Sequence, residues 1–184
     1  MPRVLLTIDP DHSSAAFSVR HMMLANVRGL FGRVTGTISL DEEDPGRSSV
    51  DVHIDVGSVT TGIRKRDEHL LTSDFFDAAN HPGITFRSTS VEMTGERRAW
   101  VRGNLTIRGT SRSVTIQGEA FGPVKSPFGA TSMGFTGRTV IDRYDFGVSW
   151  NEPLERGGLM VGKDVFILLD LEADYPAGES EKAG

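Results

Sequence analysis

Alternating apolar and polar residues recur along most of this chain, at the two-residue period of a β-strand. The clearest case is 50–56, VDVHIDV, in which an aspartate or a histidine separates each apolar residue from the next. Similar runs predict further strands at 4–8, 15–21, 30–40, 84–93, 99–107, 114–120, 133–141 and 165–173. Short turns link several of these runs, and such hairpin links indicate antiparallel pairing.

One stretch departs from the two-residue period. Residues 58–77, SVTTGIRKRDEHLLTSDFFD, group their charges ahead of two leucines and two phenylalanines, which predicts a short amphipathic helix at 63–71. Thr60 and Thr61 are candidate capping hydroxyls for its first backbone N–H groups, and Gly62 lets the chain turn before it. In an otherwise all-β chain we expect this helix to be a lid or a plug.

Eight or nine alternating strands need either two packed sheets or one sheet closed on itself. The run at 30–40 is long for a strand, and Gly32 and Gly36 on one of its faces predict a bend. Closure removes exposed strand edges. We therefore predict an all-β fold, an extended antiparallel eight-stranded lipocalin-like β-barrel with one short helix packed at or over it. Such a barrel holds its own side chains or one small ligand.

Length and composition narrow the possible functions. The 184 residues fit one domain, which we place at 1–175, and the polar segment after it, 176–184, is expected to be disordered. The absence of cysteine excludes disulfides, thiol nucleophiles and thiolate metal sites. A net charge of -5 with interspersed signs argues against a nucleic-acid partner. No run is apolar enough to span a membrane, and the start lacks the apolar core of a secretion signal, which predicts a cytoplasmic protein.

The sequence offers few signs of catalysis or metal binding. The five histidines, His12, His21, His53, His69 and His81, stand apart from one another, so we predict neither a metal site nor a cofactor. The chain contains no G-x-S-x-G nucleophile elbow, and its glycines form no phosphate-binding loop between a strand and a helix.

Several short blocks, taken together and in order, resemble the YceI-like family over about residues 6 to 172. They are 9–13 DPDHS, 17–21 FSVRH, 29–32 GLFG, 58–62 SVTTG, 66–70 RDEHL, 74–77 DFFD, 82–89 PGITFRST and 103–110 GNLTIRGT. The resemblance implies a lipocalin-like barrel that holds a long apolar chain, such as a polyisoprenoid or an isoprenoid quinone, in its bore. It also implies a homodimer, for which a shared Phe75–Phe76 surface is a candidate. Many relatives carry a secretion signal and are periplasmic or secreted.

The candidate ligand site consists of inward apolar side chains together with residues on and after the helix. Its members are Phe17, Val19, His21, Phe31, Val34, Ile38, Val52, Ile54, Arg66, His69, Phe75, Phe76, Leu105, Ile107, Met133, Phe135 and Leu169. Arg66 and His69, three residues apart on one helix face, are the candidates for holding a polar head group. The competing interpretations are that the apolar residues fill a dry core and that Arg66 and Asp67 only fix the helix to the barrel rim.

These observations predict non-catalytic binding, carriage or sequestration of a long-chain isoprenoid lipid. The alternative is an enzyme that acts on an apolar substrate, with His69 and either Asp67 or His21 as acid–base groups. The shape of the interior distinguishes the two hypotheses, because a continuous apolar tunnel favours carriage and a shallow pocket with converging titratable groups favours chemistry.

Overall fold

The computed structural model describes residues 3–178, which form eleven β-strands and one α-helix within that range. The strands are β1 (Val4–Ile8), β2 (Ser14–His21), β3 (Ala25–Phe31), β4 (Val34–Leu40), β5 (Ser49–Asp55), β6 (Val59–Thr60), β7 (Gly83–Met93), β8 (Arg98–Ile107), β9 (Thr110–Lys125), β10 (Thr131–Asp142) and β11 (Val161–Asp174). The helix is α1 (Arg64–Leu71).

The strands close into an antiparallel barrel of eight, in the order β1-β4-β5-β7-β8-β9-β10-β11, with β1 returning to β11. Thr7 lies opposite Asp174 at this seam, and Ile8 lies opposite Ala173. Beyond the seam β2 pairs with the other part of β11, β3 pairs with β2, and the short β6 pairs with β3. The predicted barrel class is confirmed, and its extended part is the wall that β2, β3 and β6 add.

Several strand boundaries differ from the predicted ones. The predicted strand at 30–40 is two strands, since the chain leaves the ladder at Gly32 and Arg33, where the glycine pattern indicated a bend. The residues just before it, which lie outside the predicted strands, are already strand from Ala25. The strand predicted to end at 120 continues to Lys125.

The predicted helix is present, but its capping is different. The N-cap residue is Ile63, which has no side-chain capping bond. The Thr61 hydroxyl instead donates to Asp67 Oδ1 over 2.6 Å and accepts a bond from Arg66 Nε over 2.7 Å. The helix is therefore tied to the preceding strand through its own side chains.

The core follows the inward face of every barrel strand. Leu6, Ile8, Val34, Val56 and Phe146 are the most completely buried large side chains. None of the helices in residues 3–178 has the length and apolar character needed to cross a membrane. Of the predicted tail, 176–178 is exposed and the rest lies outside the described residues.

Candidate ligand-binding site

The barrel interior described by residues 3–178 contains two adjoining apolar cavities. The outer cavity measures about 390 Å³ and the inner one about 140 Å³. Val52, Phe86, Ile116 and Leu169 line both cavities, so the two meet at this level of the bore. The interior is thus wider than its own side chains fill.

Small residues stand side by side on three strands at the level of the outer cavity. Ala99 on β8 pairs with Gly118 on β9, and Gly118 pairs with Gly137 on β10. All three line the cavity. A Cβ atom placed on Gly118 would have its nearest neighbours 3.7 Å away, which is ordinary van der Waals contact. The bore is therefore open at the level of Gly118. A larger inward side chain at this position would fill it.

The outer cavity reaches solvent at the end of the barrel formed by the β4–β5 and β7–β8 connections. Glu42 and Pro45 from the first connection and Glu96 and Arg97 from the second line this mouth. Tyr175 lines it as well. Polar and charged groups are thus gathered at the mouth, whereas the wall below it is apolar.

The inner cavity is closed at the opposite end by an aromatic cluster. The rings of Phe17 and Phe31 lie 5.5 Å apart between centroids, and those of Phe31 and Phe76 lie at the same separation. Phe75 and Leu70 complete this cap, with Phe75 only 9% exposed. Helix α1 and the segment after it therefore plug the bore, in agreement with the expected lid or plug.

A buried arginine holds the chain together at the capped end. The Arg143 guanidinium donates to the backbone carbonyls of Gly162 (2.7 Å), Val148 (2.8 Å), Trp150 (2.9 Å) and Val161 (3.1 Å). Burial lowers the pKa of Arg143 from its usual value. These bonds fasten the long connection between β10 and β11 across the end of the barrel. Arg143 lies outside any periodic segment, so no sequence pattern predicts its role.

Thirteen of the seventeen candidate residues line one or both cavities. They are Phe17, Val19, Phe31, Ile38, Val52, Ile54, Phe75, Phe76, Leu105, Ile107, Met133, Phe135 and Leu169. The other four, His21, Val34, Arg66 and His69, are not among the lining residues. Val34 is fully buried in the core instead. Ligand contact by the thirteen stays a prediction.

The polar residues chosen for a head group have local partners. The Nε2 atom of His69 is hydrogen-bonded to Asp74 Oδ2 at 2.8 Å, and Arg66 Nη2 donates to the Thr61 carbonyl at 2.9 Å. Asp67 accepts from Thr61, whereas His69 is bonded to Asp74, so these two acid–base candidates of the alternative enzyme have different partners. The interpretation that Arg66 and Asp67 fix the helix describes the structure correctly.

Several lining residues were overlooked, and most of them could have been found. Phe86 and Ile116 lie two residues from Ile84 and Val114 on inward strand faces, so the alternation already marked them. Tyr175 lies just after β11 and has no such signal. Its hydroxyl donates to Glu42 Oε1 over 2.7 Å, and burial, followed by this bond, raises its pKa. Tyr175 therefore remains a protonated donor at the mouth.

A second polar group lies at the turn between β1 and β2. Asp9, His12 and Glu172 each offer one atom that could bind a metal ion, and these atoms lie within 4.8 Å of one another. The spacing of the histidines in the sequence does not predict this cluster. His12 Nδ1 lies 2.6 Å from Asp9 Oδ2. The hydrogen bond to Asp9 raises the pKa of His12, and the same bond lowers the pKa of Asp9. The ion pair between Asp9 and His12 therefore explains why these two residues lie close together.

A closed antiparallel barrel with an apolar and partly empty interior defines the lipocalin-like class of small-ligand barrels. The family model of the YceI-like domain matches residues 6–173, and the chain belongs to this family. A UPF0312 protein of Pseudomonas savastanoi pv. phaseolicola is 33% identical over 143 residues, which are 78% of this chain and 74% of the relative.

Two solved structures resemble this fold closely. BcnA of Burkholderia cenocepacia superimposes with a TM-score of 0.78 at 24% identity, covering 90% of this chain and 98% of BcnA. A polyisoprenoid binding domain from Saccharophagus degradans gives a TM-score of 0.72 at 16% identity, covering 94% of this chain and 99% of that domain. At these identities the likeness concerns the fold.

Proposed function

We propose that this protein binds a long-chain isoprenoid lipid in its bore and carries, stores or sequesters it without chemical change. The observation that carries the proposal is the open, apolar outer cavity beside Ala99, Gly118 and Gly137. The polyisoprenoid binding of the structural neighbour from Saccharophagus degradans supports the choice of ligand class.

Apolar burial alone supplies enough affinity for such a ligand. Each buried methylene contributes about 0.8 kcal/mol, so a five-carbon isoprene unit gains about 4 kcal/mol before association and ordering costs are subtracted. A few units suffice for tight binding. A charged anchor is therefore unnecessary, which fits the apolar wall.

The two ends of the barrel give the ligand a direction. The tail points towards the aromatic cap of Phe31 and Phe76, and the head group stays at the mouth beside Tyr175 and Glu42. Glu42, Glu96 and Glu119 outnumber Arg97 among the charged residues that line the outer cavity, so a neutral oxygen-bearing head, such as that of a quinone, suits this mouth better than a pyrophosphate. The Tyr175 hydroxyl is a donor that can turn from Glu42 to a quinone oxygen.

The absence of chemical change is part of the proposal. Arg143, the charged residue that lines the inner cavity, has its N–H groups directed at backbone carbonyls. The alternative enzyme relied on His69, which lies outside the cavity lining and is bonded to Asp74.

Oligomeric state and location stay predictions. A homodimer is still expected, but Phe75 is buried in the cap, so its side chain contributes little to a shared surface. The predicted cytoplasmic location likewise stays a prediction.

Native mass spectrometry of the purified protein tests the binding proposal, with organic-solvent extraction of the same sample. We expect an added mass that matches a long-chain lipid, and an increase in Tm when isoprenoid quinone is added to lipid-free protein. An empty extract together with an unchanged Tm would contradict the proposal. The same spectrum reports whether the protein is a dimer.

A further inference from the structure

The β9–β10 hairpin projects beyond the barrel rim at the mouth. On one side β8 begins at Arg98, opposite Glu119, and does not accompany β9 further. On the other side the β10–β11 pairing begins at Ser132. The tip, residues 120–131, therefore extends past the strands that flank it.

The projecting tip is apolar and exposed. Phe128 is 97% exposed, Val124 66% and Phe121 47%. Over residues 120–131 the charged side chains amount to Lys125 alone, with no aspartate or glutamate, although the whole chain carries a net charge of -5. A fully exposed phenylalanine contributes nothing to the core, and only contact with something outside the fold would bury it.

The tip also borders the ligand cavity. Ala120 and Pro123, on the same hairpin, line the outer cavity, and Arg97 Nη1 donates to the Gly122 carbonyl over 2.8 Å at this rim. The apolar side chains of the tip thus stand beside the mouth through which a lipid must pass.

We propose that this tip, formed by Phe121, Val124 and Phe128, inserts into the surface of a lipid bilayer and sets the mouth against it. The inference rests on the proposed function, because it supplies the route by which a lipid moves between membrane and bore without crossing water. Lys125 fits this placement, since a lysine stem packs among acyl chains while its ammonium stays with the head groups.

A bilayer is a better occupant for this tip than a protein. Stable protein interfaces bury about 800 Å² on each partner over a broad, complementary patch. Three apolar side chains on a narrow projecting hairpin do not offer such a patch. They are suited to insertion, which needs only shallow burial of apolar side chains and no shape match.

Co-sedimentation with phosphatidylcholine vesicles tests the proposal, comparing the wild-type chain with Phe128→Ser. Full burial of a phenylalanine corresponds to a factor of about ten or more in partitioning. We therefore expect Phe128→Ser to lower the partition coefficient about tenfold. Phe166→Ser is the matched control, because Phe166 is 57% exposed on the outer face of β11 and should leave partitioning unchanged.

A second measurement separates docking from ligand binding. Isoprenoid quinone delivered from cyclodextrin should bind equally to the wild type and both variants, since neither side chain lines the bore cavities. Uptake of the quinone from vesicles should be about tenfold slower for Phe128→Ser, because this variant is expected to bind the vesicles about tenfold more weakly.

Each outcome bears on one proposal at a time. Equal partitioning of the wild type and Phe128→Ser, or no vesicle binding by the wild type, would overturn membrane docking, while quinone uptake from cyclodextrin would leave the binding function standing. Phe128-dependent self-association without vesicle binding would assign the tip to a second copy and also refute docking. Vesicle binding without any quinone uptake would count against the binding function and not against the tip.

Discussion

Substituting Gly118 by leucine tests whether the bore is the ligand site. The missing side chain of Gly118 faces the outer cavity, and a Cβ there would meet the carbonyl oxygens of Ala99 and Thr136 at 3.7 Å. The leucine Cβ therefore fits without moving the backbone, and the rest of the side chain extends into the outer cavity. Its four carbons occupy the space that a prenyl tail needs.

The size of the effect follows from the displaced contact area. If the leucine displaces about four ligand carbons at about 0.8 kcal/mol each, binding weakens by about 3 kcal/mol, or roughly a hundredfold in Kd. The ligand-free protein should not lose stability. Burial of the leucine and removal of a strand glycine both stabilise the fold, so the free energy of unfolding should rise by about 1 kcal/mol.

Titration calorimetry with an isoprenoid quinone gives the Kd, and urea unfolding gives the stability. Gln117→Leu is the matched control, because Gln117 is the exposed neighbour on the same strand and should bind like the wild type. A Gly118→Leu protein that is as stable as the wild type and binds with the wild-type Kd would refute the reasoning, since the ligand would then lie elsewhere.

Three further outcomes are expected. Arg143→Met removes the donors for several buried carbonyls, each worth about 1–3 kcal/mol, so urea unfolding should show a loss of about 3 kcal/mol or more; an unchanged midpoint would contradict this role. The Asp9–His12 pair stabilises the fold between about pH 4 and 6.5, because it is lost as Asp9 protonates below that window and as His12 deprotonates above it. In an NMR titration Asp9→Asn should lower the pKa of His12, and an identical titration curve would argue against the pair. Phe86→Leu widens the level where the two cavities meet, so the ratio of Kd values for short and long prenyl tails should shift in favour of the long one; a constant ratio would mean that Phe86 does not separate the cavities.

The strand pattern was predictable because one face of each barrel strand is wet and the other is buried. The alternation at 50–56 gave β5 almost to the residue. It failed at the end of β9, where Gly122 and Pro123 signal a turn. Proline is tolerated there because Gly122 and Pro123 lie in an irregularity of the β9–β10 ladder, between the pairs Phe121–Gly134 and Val124–Ser132.

The emptiness of the bore could not be predicted from local patterns. Ala99, Gly118 and Gly137 are far apart in the sequence, and each of them alone is an ordinary small residue in a predicted strand. They form a gap only because the register places them side by side across β8, β9 and β10. Register is set by the pairing of all strands in the closed sheet. The volume of the bore depends on this register, so it cannot be predicted before the strand pairing is known.

The candidate head-group residues Arg66 and His69 lie outside both cavity linings for a related reason. The charged residues of α1 lie close in sequence to Phe75 and Phe76. Arg66, however, is hydrogen-bonded to Thr61 and His69 to Asp74, so these side chains stabilise the cap. A polar head buried at that end would lose its water without gaining a partner, which is costly. At the mouth it keeps its water. Under the proposed function, desolvation thus orients the ligand with its head at the mouth, where Tyr175 and the neighbouring carboxylates favour a neutral head group.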